Sequence, residues 1–256
     1  MLTRPPNDVR TVVDLFDDYD ASCAAVRTSA PFLRERNGTL SLHFETAGVQ
    51  SSMDVEAPNR LVLGYTRTMV GFLLFKERPR HIGMIGLGGG SIQKYFHQNL
   101  PEARITVAEI SPEIIALRDR FCIPKDDARF RVICEDGADF VRRHQDEFDV
   151  LIVDGFDSAG QPPELCSQDF YDCCYSALAP EGILVVNICD SGRSMLVPRL
   201  HRSFGNRVTV ADGEDSTNTI AFASKVAKGP GHTDECKMSR RKRSGPVWRA
   251  ATGSAR

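Results

Sequence analysis

Apolar residues recur along this chain in short solid runs, not in long one-sided stripes. Ile82, Met84, Ile85 and Leu87 crowd residues 81–87, and comparable runs follow over 104–110, 130–134, 148–153 and 182–188. Between them the apolar spacing turns helical, over 92–99, 113–121, 138–144, 168–178 and 194–203. Two further strand-like runs, 207–211 and 218–223, complete the series. Strands apolar on both faces, alternating with helices, predict a mostly parallel sheet covered on both sides. The expected fold class is therefore α/β, doubly wound, with seven strands.

Ahead of this series the pattern differs. Residues 39–44 alternate as in a strand with one buried face, 48–53 read as a second strand, and Asn37-Gly38 marks a turn. A helix is expected over 14–26 and another over 61–75, where Leu63, Met69, Val70, Leu73 and Leu74 share a face. The chain thus divides into a small β-rich N-terminal element (1–60), an α/β domain (61–227) and a remainder (228–256) without apolar periodicity. That remainder carries eight Lys/Arg against two Asp/Glu and reads as a disordered, solvated basic tail, with Trp248 inside it.

Composition changes this picture little. At 256 residues, with 41% hydrophobic and 26% charged residues, the chain suits one sizeable core and no disordered or fibrous class. A net charge of −2 conceals the basic tail; the first 227 residues carry −8, which favours a cationic ligand. Nothing in the pattern calls for nucleic acid or a membrane. No run of about 18 apolar residues occurs and the first residues lack a leader pattern, so the expected compartment is the cytoplasm. The eight cysteines form no C-x-x-C pair and are expected to be reduced, buried and free of metal.

In an open α/β sheet, ligands lie beyond the C-terminal ends of the strands, so the residues just after each run are the candidates. The first run ends in Gly86-Leu-Gly-Gly-Gly90 before a helix, where missing side chains let backbone N–H groups approach a ligand. The second ends at Glu109, 19 residues after Gly90, placed to accept hydrogen bonds from ribose hydroxyls. The third ends in Glu135-Asp136-Gly137, where Asp136 is within reach of an adenine amino group, and the fourth in Asp154-Gly-Phe-Asp157. Taken singly, Glu109 as a helix cap, Asp136 as a turn residue and the last two as solvated loop acids are equally good readings. Falling together at successive strand ends, they point to a nucleoside site. Gly86 and Gly88 do not complete G-x-G-x-x-G, since Ser91 takes the third position, and no G-x-x-x-x-G-K-[ST] occurs. An adenosine carrying a sulfonium fits better than a dinucleotide or a triphosphate.

The stretch Phe148-Asp-Val-Leu-Ile-Val-Asp154-Gly-Phe-Asp157-Ser-Ala-Gly-Gln-Pro-Pro-Glu-Leu-Cys-Ser-Gln-Asp-Phe-Tyr171 resembles the signature of the spermidine synthase (polyamine aminopropyltransferase) family. Met84-Ile-Gly-Leu-Gly-Gly-Gly90 resembles its glycine turn, and Gly48-Val-Gln50 and Tyr65 resemble its N-terminal contributions. The resemblance implies a class I methyltransferase-like Rossmann fold. It also implies transfer of an aminopropyl group from decarboxylated S-adenosylmethionine to an amine such as putrescine, releasing methylthioadenosine. On that basis Asp154 accepts the amine's proton, Tyr65 orients Asp154, and Asp157 helps hold the amine. Glu109 binds ribose, Asp136 and Gly137 adjoin adenine, Gln50 faces the nucleoside, and Gly86, Gly88, Gly89 and Gly90 cradle it. A small-molecule amine is the expected partner, and a homodimer is compatible with the resemblance. Three departures stand out. Ser91 replaces the family's Asp that grips the aminopropyl ammonium, Thr66-Arg67 replaces His-Glu after Tyr65, and Gly155-Phe-Asp-Ser158 replaces Ser-Thr-Asp-Pro. They keep two alternatives open: a methyltransferase using intact S-adenosylmethionine, and a silent nucleoside-binding homologue. An Arg67 facing the amine pocket would repel a cationic chain; pointing at solvent, it would do nothing.

Overall fold

The structure, a computed structural model, describes residues 30–44, 48–158, 160–214 and 217–226. The helix expected over 14–26 and the tail expected over 228–256 lie outside these residues. Asn37 and Gly38 adopt positive φ, 50° and 73°, and link β1 (Phe32–Arg36) to β2 (Thr39–His43) as an antiparallel hairpin. β3 (Ser51–Asp54) adds to the other side of β2. β1 escapes the sequence pattern because only Leu33 is buried, while Arg34, Glu35 and Arg36 are exposed on an edge strand.

The helix expected over 61–75 splits into α1 (Gly64–Val70) and a 3-10 turn at Gly71–Leu74. Leu74, placed on the apolar face by its spacing, ends up exposed, as does the adjacent Phe75. Seven strands follow as predicted: β4 (His81–Ile85), β5 (Arg104–Glu109), β6 (Phe130–Cys134), β7 (Phe148–Val153), β8 (Leu178–Ile188), β9 (Val208–Asp212) and β10 (Thr219–Ser224). Their order is β6-β5-β4-β7-β8-β10-β9, parallel through β8, with β10 antiparallel to both its neighbours. β8 starts earlier than its apolar run because Leu178 still pairs with Phe148. The chain then bulges through Pro180 and Glu181 (φ 60°) before Ile183 pairs with Val150.

Between strands lie α2 (Ser91–Asn99), α3 (Pro112–Ala116), α4 (Gly137–Arg142), α5 (Gln168–Ala177) and α6 (Arg193–Phe204). The helix expected over 113–121 stops at Ala116 and tightens into a 3-10 turn over Arg118–Phe121, closed by Cys122 with φ 53°. One sheet face packs Met84, Val107 and Ile152 against Phe72, Phe96 and Phe121, together with Leu40, Leu42 and Met53 of the small sheet. The other packs Leu151, Val153 and Val186 against Phe140, Phe170, Leu196 and Phe204. Each such buried side chain contributes about 1.5–3 kcal/mol. Among the described cysteines, Cys166, Cys173 and Cys174 are buried as expected, whereas Cys122 and Cys134 are exposed. Cys122 ends a surface turn and Cys134 ends β6, the outermost parallel strand, so neither run carries its cysteine inward.

Candidate active site at the switch point of the sheet

The chain winds outward from β4 in one direction through β5 and β6, then returns to build β7 and β8 on the other side. The crevice at that reversal, beyond the C-terminal ends of β4 and β7, is where this architecture opens a ligand site. Backbone hydrogen bonds tie the strand tips together. Asp154 N–H donates to the Ile85 carbonyl (2.9 Å), Gly86 to Ala108 (2.9 Å) and Glu135 to Glu109 (2.9 Å). Gly86, with φ 94°, crosses directly over Asp154: a Cβ there would lie 2.3 Å from the Asp154 carbonyl oxygen. Only glycine fits. Gly90, with φ 64°, ends the turn as the residue before α2.

Gln93, buried on the first turn of α2, holds this turn by donating to the carbonyls of Gly86 (2.9 Å) and Leu87 (3.3 Å). Sequence reasoning passed over it; its signal was a polar side chain on the buried face of the helix after the glycines. On the N-terminal side, Gln50 donates its N–H to the Leu42 carbonyl (2.8 Å) and leads into Ser51, whose Oγ sits where a Cβ on Gly89 would fall. This brings β3, and Gln50 with it, alongside the glycine turn.

The carboxylates differ in how they are held. Glu109 is buried and accepts from Leu87 N–H through Oε2 and from Ser111 N–H through Oε1, both at 2.9 Å. Burial pushes its carboxyl up, and these backbone donors pull against it. It is not the helix cap, since Ser111 accepts from Ile114 N–H and fills that role. Asp136 is a cap: its Oδ1 accepts from Ala138 (2.8 Å) and Asp139 (3.0 Å). Gly137 permits the close approach, since a Cβ there would meet Ile85 Cγ2 at 2.4 Å.

Asp154 is gripped from two elements. The Tyr65 hydroxyl of α1 donates to Oδ2 (3.3 Å), and the Asn187 amide of β8 donates to Oδ1 (2.8 Å). Burial raises the Asp154 carboxyl above its ordinary range, and both donors oppose that rise. Burial, then the charge of Asp154, also pushes the Tyr65 phenol well up, so it stays a donor. Asp157 sits on the same loop, in a tight turn closed by its N–H to the Gly160 carbonyl (2.9 Å). Among the described residues, none of Glu109, Asp136 or Asp154 is paired with Lys or Arg. These three carboxyls therefore meet neutral donors and no described cation. No group of three or more His, Cys, Asp or Glu among the described residues is arranged to hold a metal ion.

The departing positions have local duties. Ser91 donates to the Ser52 carbonyl (3.3 Å), joining α2 to β3, and Thr66 donates to the Leu63 carbonyl (2.5 Å). Arg67 pairs with Glu214 in the β9–β10 turn (2.9 Å) and donates to the carbonyls of Leu61 and Val62. Of the two expectations for Arg67, facing an amine or facing solvent, the partly exposed side chain is nearer the second, and it also clamps α1 to that turn.

Residues 62–195 match the spermine/spermidine synthase domain. The chain belongs to the spermine/spermidine synthase family. A polyamine aminopropyltransferase of Chromobacterium violaceum is 38% identical over 194 residues, covering 75% of this chain and 74% of that one. Among solved structures, a probable spermidine synthase from Corynebacterium glutamicum shares the fold with a TM-score of 0.66 at 20% identity, covering 80% of each chain. Human methyltransferase-like protein 13, in complex with SAH, does so with a TM-score of 0.58 at 24% identity, covering 66% of this chain and 83% of that one. The family and the fold expected from the glycine turn and the Asp154 stretch are those found.

Proposed function

We propose that this chain is a polyamine aminopropyltransferase, moving the aminopropyl group of decarboxylated S-adenosylmethionine onto a primary amine of the putrescine class. The observation that carries this reading is Asp154. It lies at the switch point directly beneath the glycine turn, held by two neutral donors, and no Lys or Arg among the described residues pairs with it. A sulfonium with an ammonium tail and a second ammonium are the ligands that such a crevice attracts.

The chemistry asks little covalent work of the protein. The amine nitrogen attacks the propyl carbon next to sulfur, the carbon–sulfur bond breaks with its electron pair going to sulfur, and neutral methylthioadenosine leaves. An alkylamine has a pKa of about 10 and must lose a proton before its lone pair can attack. Asp154 accepts that proton, and its raised carboxyl makes the transfer less uphill than an ordinary aspartate would. Tyr65 and Asn187 fix both oxygens so that the amine meets the carbon in line. Asp157, three residues along, holds the incoming ammonium. Glu109 accepts from the ribose, Asp136 through Oδ2 from the adenine amino group, and Gln50 and the glycines close around the nucleoside.

One observation supports the methyltransferase as a second reading: Ser91 is turned to the Ser52 carbonyl and offers no carboxylate to an aminopropyl ammonium. Incubation with each cofactor and a panel of diamines, read by mass spectrometry, separates the two. Aminopropyl adducts with methylthioadenosine release support the transferase. Methylated product from intact S-adenosylmethionine would replace it with the runner-up. Failure of millimolar methylthioadenosine to raise the melting temperature would remove both readings.

A further inference from the structure

Asn187 lies outside every motif that marks the site, yet three parts of the site meet on it. It is buried on β8, opposite Ile220 of β10. Its amide N–H donates to Asp154 Oδ1 (2.8 Å), and its amide oxygen accepts from the Asn218 amide (2.8 Å). Its backbone carbonyl accepts from Gln161 (3.1 Å), on the loop that carries Asp157. An ionised carboxylate only accepts hydrogen bonds, so the end of the Asn187 amide that meets Asp154 has to be its NH₂. That leaves its oxygen facing Asn218, which then must present its own NH₂. Every donor in the row Asn218–Asn187–Asp154 points toward the carboxylate.

We propose that Asn187 is a positioning residue for the transfer reaction, orienting the Asp154 carboxylate by direct donation while Asn218 fixes which end of the Asn187 amide is presented. The proposal rests on the reading of Asp154 as the group that takes the amine's proton. Donation to the ionised form favours it and so offsets the cost of burial at Asp154. The titratable side chain hydrogen-bonded to this row is Tyr65 from α1, and among the described residues no Lys or Arg pairs with Asp154. Removing the Asn187 donor leaves Tyr65 as the one remaining side-chain donor to Asp154. Removing Asn218 frees the amide to rotate and set oxygen against oxygen.

The test follows two readouts across pH: kcat/KM for aminopropyl transfer, and the Asp154 carboxyl carbon chemical shift in labelled protein, assigned against Asp154→Asn. In Asn187→Leu both the acidic limb and the carboxyl titration are expected to move up by about one pH unit. In the same variant kcat should fall roughly tenfold while KM for the nucleoside co-substrate stays within about twofold. Asn218→Ala, at the partly exposed residue just before β10, should move both in the same direction by less, and it guards against loss of folding in the buried variant. An unmoved carboxyl titration in Asn187→Leu overturns the proposal, whatever happens to activity. Movement there with none in Asn218→Ala overturns the role of Asn218. Carboxyl titrations that shift while the pH–rate profile stays still would leave the contact standing and remove Asp154 as the proton acceptor, which keeps the two readings distinguishable.

Discussion

The two ends of the sheet treat charge in opposite ways. At the N-terminal end of the parallel strands the buried and half-buried charges among the described residues pair with one another. Lys225, with a fully buried side chain, pairs with Asp146 (2.9 Å) and donates to the Leu178 carbonyl (2.9 Å). Asp149 accepts from the N–H groups of Arg80 and His81 and pairs with Lys76. Glu147 lies within 4 Å of His81, Arg104 and His144. At the C-terminal end, Glu109, Asp136 and Asp154 have only N–H and O–H donors, with no described cation against them. At this end Glu135 pairs with Arg143, while Glu109, Asp136 and Asp154 meet neutral donors alone among the described residues. Stability should therefore depend on the first end and activity on the second.

The sharpest way to break this contrast is Asp154→Asn. It should lower turnover by about a thousandfold, measured as methylthioadenosine release, while leaving the nucleoside affinity nearly unchanged. Because burial disfavours the charged form there, the same variant should melt about 2–4 °C higher, a gain of about 1 kcal/mol. Near wild-type turnover would remove Asp154 from the reaction. Lys225→Ala, at the opposite end, should cost about 3 kcal/mol of stability in urea unfolding, with turnover per folded molecule unchanged. A turnover change without a stability change would erase the contrast between the ends.

A smaller effect comes from pH. Burial first, then the neighbouring Arg104, lowers His81 to about 4, so it is neutral in the folded protein and protonates more readily when unfolded. The unfolded chain binds the extra proton, so stability is full above about pH 6.5 and falls toward pH 4, by about 2–3 kcal/mol at most. The His81→Asn variant should show a flatter stability curve across that window, and an unchanged slope would discount His81 as its source. The smallest effect expected is that of Tyr65→Phe, which removes one long hydrogen bond to Asp154. It should reduce kcat by about three- to tenfold and move the acidic limb upward, since the lost donor favoured the ionised form. A tenfold or larger rise in nucleoside KM without a kcat change would instead place Tyr65 in binding.

Where the sequence was read well, the physics was local. β6 and β7 begin and end at the predicted residues; β7 does so because a run buried on both faces has abrupt polar ends, and β6 because its short apolar run is bracketed by polar residues. Ser111 caps α3 and Pro112 opens it, as their own backbone preferences require. The misses were non-local. β1 needed its partner β2 to be seen as a strand, and the break at Gly71 left the apolar Leu74 and Phe75 outside the core. In the candidate site, the carboxylates were legible because each follows an apolar run. Gln93 showed only as a polar residue on the buried face of α2, and Asn187 and Asn218 not at all, because an isolated amide gains its meaning from what it touches.

The sequence by itself determined that there would be a parallel sheet, a glycine turn after its first strand, and acids at the tips of the next ones, since periodicity, φ freedom and strand ends are properties of neighbours along the chain. Only the tertiary structure decided that Asp136 spends one oxygen on a helix cap, that Arg67 turns to Glu214, and that an amide row from Asn218 reaches Asp154. A hydrogen bond is settled within about 3 Å, and the residues that make these are up to 147 positions apart.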